Sequence, residues 1–275
     1  MRFLLSLILI VLAVGAALLS GAGAMLARNV LDPAGFTHVV VETVQSPAGT
    51  QLVRAAVENE VAIRAAAQPD AIAMGAASIA GAWAVKAVHS DAAPRVLGPV
   101  AIGLQQGILT GTQSGAVQLD VRALATAAEP PPVVLTVLSA IPGDLLVTIP
   151  WISMSPGAQT ILQELDRHRW LPTALAVAAI LLGMLALLVS RRRGLALVLM
   201  GVALAVSAYL LRPLATDVTS SAVARSSQDV TTGPLAGVFV DQLFTGWSAV
   251  SGALIAIGLA LVLVGVVFGV RRASR

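Results

Sequence analysis

The chain carries three histidines, His38, His89 and His168, and no cysteine. Thiol catalysis, disulfides and cysteine metal sites are therefore excluded together. Glu164 and His168 stand four residues apart on a predicted helix and so share one face. That spacing suits two ligands of a metal ion or a surface ion pair. With no HExxH motif and no third ligand in sequence reach, the ion pair is the expected reading. Asp91, close to His89, is placed to orient an imidazole for serine or water chemistry, yet no residue is nominated as the nucleophile. "GTQSG" around Ser114 misses the G-x-S-x-G elbow by one position and lacks its strand-before, helix-after setting, so it reads as a turn. No glycine-rich loop matches a phosphate cradle. The residue types nominate no catalytic residue, no cofactor and no metal.

The elements that must position these side chains are mostly apolar. Of 275 residues, 57% are hydrophobic and 11% charged, against about 25% charged in soluble domains. The mean hydropathy is +0.89. Four uncharged segments, Phe3–Ala24, Leu171–Ser190, Gly194–Leu211 and Gly246–Val270, are long enough to cross a bilayer as helices, which takes roughly 20 residues. None contains Asp, Glu, Lys, Arg or His, which argues against charge-coupled transport. Small residues recur as Ala13, Ala17, Gly21 and as Gly265, Gly269. Such spacing lets helices approach closely, though an Ala- and Gly-rich chain also produces it by chance.

Arginine sets the expected orientation. Basic residues gather on the cytoplasmic side of membrane spans. With the N-terminus inside, the cytoplasmic pieces hold Arg2, Arg191, Arg192, Arg193, Arg271, Arg272 and Arg275 and no acidic residue. The outer pieces keep the other ten basic residues and all fourteen acidic ones. Trp170, Tyr209 and Trp247 then fall at the outer interface, where aromatic belts form. The first segment is an anchor or a cleaved signal peptide ending near Ala22–Ala24. An n-region of two residues and an apolar run above twenty favour the anchor. The calculated pI of about 10.5 does not point to nucleic acid, because three arginines in a tight turn present no groove or aromatic platform. They suit anionic lipid headgroups instead.

Residues 27–169 are expected to form one helix-dominated extracytoplasmic domain with a small β element. Asp32-Pro33, Ser46-Pro47 and Ser155-Pro156 each pair a capping residue with proline at the first helical position. Helices are predicted over 33–44, 47–66, 70–89 and 95–109. The third is rich in small residues, suited to close packing with Trp83 filling space. Alternation at Val117, Leu119 and Val121 predicts a strand, with Asp120 capping a brief helix through Ala128. "PPPVVLTVL" and "DLLVTIPWI" are further strand candidates. The helix from Ser155 is expected to run straight into the second span, bent by Pro172. Residues 212–245 read as a loop ending in an amphipathic stretch, with Leu235, Val238, Phe239, Gln242 and Leu243 on one face. That stretch is an interfacial helix or a lid on the domain.

The fold class read from these signals is a mainly α membrane protein with four transmembrane helices, N-in and C-in in the bacterial inner (plasma) membrane. "LDPAGF", "GAVQLDVRAL", "GAQTILQELDRHRWLPTALA" and a membrane pair split by "SRRRG" together resemble a group of uncharacterised four-span membrane proteins from actinobacteria. The resemblance implies the same architecture and an actinobacterial envelope location, and it assigns no activity or site residue. The expected partners are the lipid bilayer and other membrane or envelope proteins. The leading functional reading is a non-enzymatic binding or scaffold protein acting through its outer domain. The alternative is an envelope enzyme or lipid-handling protein with a pocket between domain and membrane, lined by His89, Asp91 or Asp144.

Overall fold

A computed structural model describes residues 2–65, 70–110, 116–140, 146–150, 156–190, 192–226, 233–244 and 246–273. The chain opens with α1 (Arg2–Leu26), a π-helical turn at Ala27–Leu31, α2 (Pro33–Gln45), α3 (Pro47–Arg64), α4 (Asp70–Val88) and α5 (Ala93–Thr110). It continues with β1 (Ala116–Asp120), α6 (Val121–Ala127), α7 (Pro132–Ala140), β2 (Leu146–Pro150) and α8 (Pro156–Arg167). It ends with α9 (Leu171–Val189), α10 (Arg193–Ser226), α11 (Gly233–Leu243) and α12 (Trp247–Ala273). These elements fall into two compact units. One is built from Met1–Arg28, Glu164–Val218 and Phe244–Arg275, the other from Asn29–Gln163 and Thr219–Leu243.

The second unit is written by its caps. Asp32 Oδ2 accepts from the Gly35 amide at 2.9 Å and Ser46 Oγ from the Gly49 amide at 3.0 Å, each with proline in the first helical turn. Both side chains satisfy amide donors that a helix start leaves free. Val53, Val57 and Val61 make one fully buried stripe of α3, the four-residue spacing that keeps a helix face inward. Against α3 lies α4, whose Gly75–Val88 stretch is apolar but short for a span. It is a core helix: Ala80, Ala84 and Val88 are buried, as is Trp83, with Lys86 Nζ 5.5 Å from the Trp83 ring centroid. Gly81 admits the close approach, since a Cβ there would stand 2.5 Å from Glu58 Cγ.

The predicted strand is β1, paired antiparallel with β2 in the register Leu119↔Val147. Both of those residues are buried. Asp120 Oδ1 accepts from the Arg122 and Ala123 amides and so starts α6. Of the two other strand candidates, "DLLVTIPWI" supplies β2. "PPPVVLTVL" forms helix α7 instead. Pro132 presets the helical φ at its first position, and the Pro131 carbonyl accepts from Val134 and Leu135, which outweighs the β-branched composition.

Two further expectations change. The helix from Pro156 does not run on into the second span. It stops at Arg167, turns through His168–Trp170 and restarts at Leu171 with Pro172 in the first turn. Proline clashes with the carbonyl four residues back and suits a first turn, so it divides the helices rather than bending one. The polar stretch after Leu211 is helical through Ser226 rather than a loop. Pro213 lies inside this helix and does not end it, and from 214 to 226 no further Gly or Pro follows, so past Pro213 the helix propagates without another breaker. The Ser155 cap falls outside the described residues.

The amphipathic stretch is α11, and it packs on protein. Phe239 is buried and meets Phe36 of α2 edge-on, centroids 6.2 Å apart at 78°. The π-helical turn is held by two amides: Gln105 Nε2 donates to the Val30 carbonyl at 2.5 Å, and Asn29 Nδ2 to the Leu243 carbonyl at 2.8 Å. A π turn shifts the backbone pairing; Gln105 takes up a carbonyl of the turn, and Asn29 of the turn takes up the last carbonyl of α11.

Candidate functional site

Where the structure describes them, the residues with chemical potential do not converge. His38 and His89 are exposed. His89 Nδ1 lies 2.9 Å from the Val85 carbonyl of its own helix, which makes Nδ1 the protonated nitrogen; its ring forms no pair with Asp91. Glu164 pairs with Arg167 at 2.9 Å, and His168 Nδ1 stands 3.4 Å from its other carboxylate oxygen, a contact on the surface that is an ion pair only with a protonated imidazole. His168 also meets Trp170 edge-on, centroids 6.1 Å apart. Among the described residues no three His, Asp or Glu side chains group as metal ligands. Ser114 and Asp144 lie outside the described residues.

The spanning unit is organised by end. Four helical stretches, Phe3–Leu31, Leu171–Val189, Arg193–Leu211 and Gly237–Phe268, are long and apolar enough to cross a membrane. The last contains Gly246 at φ +94°, a left-handed conformation that favours glycine. At one end Ser6 Oγ donates to the Ala186 carbonyl at 3.3 Å. A Cβ on Gly265 would stand 2.6 Å from the Gly194 carbonyl oxygen. The starts of α1 and α10 and the end of α12 therefore share that end, which carries Arg2, Arg192, Arg193, Arg271 and Arg272 in its backbone. Arg192 and Arg193 are exposed; Arg191 and Arg275 are outside the described residues.

At the other end Ser20 Oγ donates to the Pro172 carbonyl at 2.7 Å, and Gly21 faces Val250. Trp170 and Trp247 adjoin these contacts in sequence. The α10–α12 register, Gly194 opposite Gly265 and Gly201 opposite Gly258, carries Tyr209 to the same level. Trp170 and Tyr209 are 63% and 64% exposed, whereas Trp247 is half-buried and its indole Nε1 is enclosed without a hydrogen-bond partner.

A cleft of about 470 Å³ lies within this unit. Ala13, Ala17 and Gly21 of α1 and Ala176, Ala179 and Gly183 of α9 form part of its wall, with Met200, Leu204, Leu254 and Ile257 from α10 and α12. The small residues of α1 thus leave room as well as permitting approach. Among the described residues Ser20 is the one polar side chain on the wall, and its hydroxyl is already engaged by Pro172. The volume suits a ligand, and the lining suits hydrocarbon rather than a reacting group. Sequence reasoning missed this cleft because its walls come from four helices distant in sequence.

No protein-family model, no curated protein and no solved structure matches this chain.

Proposed function

We infer that this chain is a multi-pass envelope membrane protein whose Asn29–Gln163 unit, joined by Thr219–Leu243, binds or scaffolds a partner outside the cytoplasm without catalysis. The observation that carries this reading is the use of charge. Within that unit the ion pairs Arg54–Glu58 and Arg64–Glu60 each join residues four apart on α3. Charges engaged locally stabilise helices and leave the surface to act by shape and apolar contact rather than by an acid–base constellation. The arginine asymmetry supports N-in and C-in, with the helical unit outside. The resemblance to four-span actinobacterial proteins supports an actinobacterial envelope.

Native mass spectrometry of the protein gently extracted from its own membrane tests this. A protein partner should co-purify in defined stoichiometry and be lost when the exposed face of the helical unit is altered. A chain that emerges alone would overturn the scaffold reading. The apolar cleft supports lipid handling as a second reading, with hydrocarbon held among the spans. In the same spectra that reading requires a lipid mass retained without a protein partner.

A further inference from the structure

We propose that the arginine-bearing end of the spanning unit holds one anionic phospholipid, seated between α1 and α10 with its phosphate on Arg192. A groove of about 330 Å³ opens there, walled by Phe3, Leu7 and Ile10 of α1 and by Leu195 and Leu199 of α10. Its polar lining is Ser6, Ser190 and Arg192. Ser6 is 4% exposed and donates to the Ala186 carbonyl, so it closes the groove floor. Arg192 is exposed and has no acidic partner among the described residues.

The sequence around Arg192 is free of acidic residues. The acidic residues flanking Arg192 in sequence are Asp166 and Asp217, none precedes Asp32, and none follows Asp241. An anion brought by a ligand therefore meets no competing carboxylate close to Arg192 in sequence. The walls specify what else that anion carries. Phe3, Leu7 and Leu195 are 64%, 38% and 45% exposed, apolar surface that a hydrocarbon chain would cover. Leu7 and Ile10 are three residues apart and share a face of α1, so a tail lying along the helix touches both. A guanidinium fork matches two phosphate oxygens, and a free phosphate would leave the apolar walls unused. The ligand class is a phosphate carrying acyl chains.

This assignment is narrower than a general attraction between arginines and an anionic surface, because it requires α1 and singles out one arginine of the cluster. It stands on the spanning unit alone, so failure to find a protein partner for the helical unit leaves it unchanged.

The test uses the full chain in nanodiscs of phosphatidylglycerol and phosphatidylcholine in equal amounts, followed by native mass spectrometry after release. Wild type should retain a single phosphatidylglycerol. Arg192→Gln should lower the phosphatidylglycerol preference of that retained lipid about fivefold or more, the factor for one basic group near an anionic surface. Arg272→Gln should leave the preference in place. Leu195→Trp, which fills the groove with Arg192 intact, should expel the lipid. Equal losses in Arg192→Gln and Arg272→Gln would overturn the site in favour of a diffuse field. Equal retention of phosphatidylcholine by wild type, or displacement of the lipid by inorganic phosphate, would also overturn it.

Discussion

At Gly258 the methyl group of an alanine would stand 2.6 Å from the Gly201 carbonyl oxygen and 3.1 Å from Ala205 Cβ. Backbone cannot retreat as a flexible side chain can, so α10 and α12 would have to part. Gly252 on the same helix meets nothing within 4 Å. Gly258→Ala should therefore cost about 1–3 kcal/mol, the range for overpacking, whereas Gly252→Ala should be close to neutral. Thermal unfolding of the two variants in one detergent decides the matter, and equal melting temperatures would remove the close crossing. The glycines that meet backbone are spaced by seven, Gly194 and Gly201 against Gly258 and Gly265. The four-residue spacing of Gly265 and Gly269 is the more familiar pattern, yet the described contact runs through Gly265 and Gly258. Spacing alone does not say which face of a uniformly apolar helix meets a neighbour. No polar side marks the outside, and only the partner's matching glycines select the face.

At the scale of elements, legibility followed local chemistry. The starts of α2, α3 and α6 were readable because Asp32, Ser46 and Asp120 carry the capping oxygen, two of them followed by proline. The end of α10 was not, since it depends on whether a propagating helix continues, and in α7 the β-branched run masks the start that Pro132 sets. Ser46 tests the capping account most sharply, because it joins two helices. Its hydroxyl donates to the Thr43 carbonyl at 2.6 Å and accepts from Gly49, and a Cβ on Gly49 would sit 2.6 Å from the Val44 carbonyl oxygen. Ser46→Ala should destabilise the first turn of α3 by about 1 kcal/mol. Hydrogen exchange of the Gly49 and Thr50 amides should then quicken about fivefold, with Ser46→Thr close to wild type. Unchanged exchange would mean that packing of the Val53, Val57 and Val61 stripe, not the cap, holds the corner.

For the molecule as a whole, the prediction concerns which side of the membrane each end of the spanning unit faces. The arginine-bearing backbone ends lie together and Trp170, Tyr209 and Trp247 lie at the opposite end, the arrangement expected of a bilayer protein whose cytoplasmic loops are basic. The exposed apolar side chains of the spanning helices, such as Leu12, Ile180, Leu188 and Leu263, would be an aggregation surface in water and are suited to lipid. The absence of cysteine makes orientation directly measurable, because any introduced thiol is the sole target for a membrane-impermeant maleimide. Asp91→Cys and His38→Cys, both at exposed positions of the helical unit, should label in intact cells. Ser274→Cys, in the arginine tail, should label only after permeabilisation. If Ser274→Cys labels in intact cells while Asp91→Cys does not, the orientation inverts. The helical unit would then be cytoplasmic, its partner would have to be sought there, and the phospholipid assigned to Arg192 would belong to the outer leaflet.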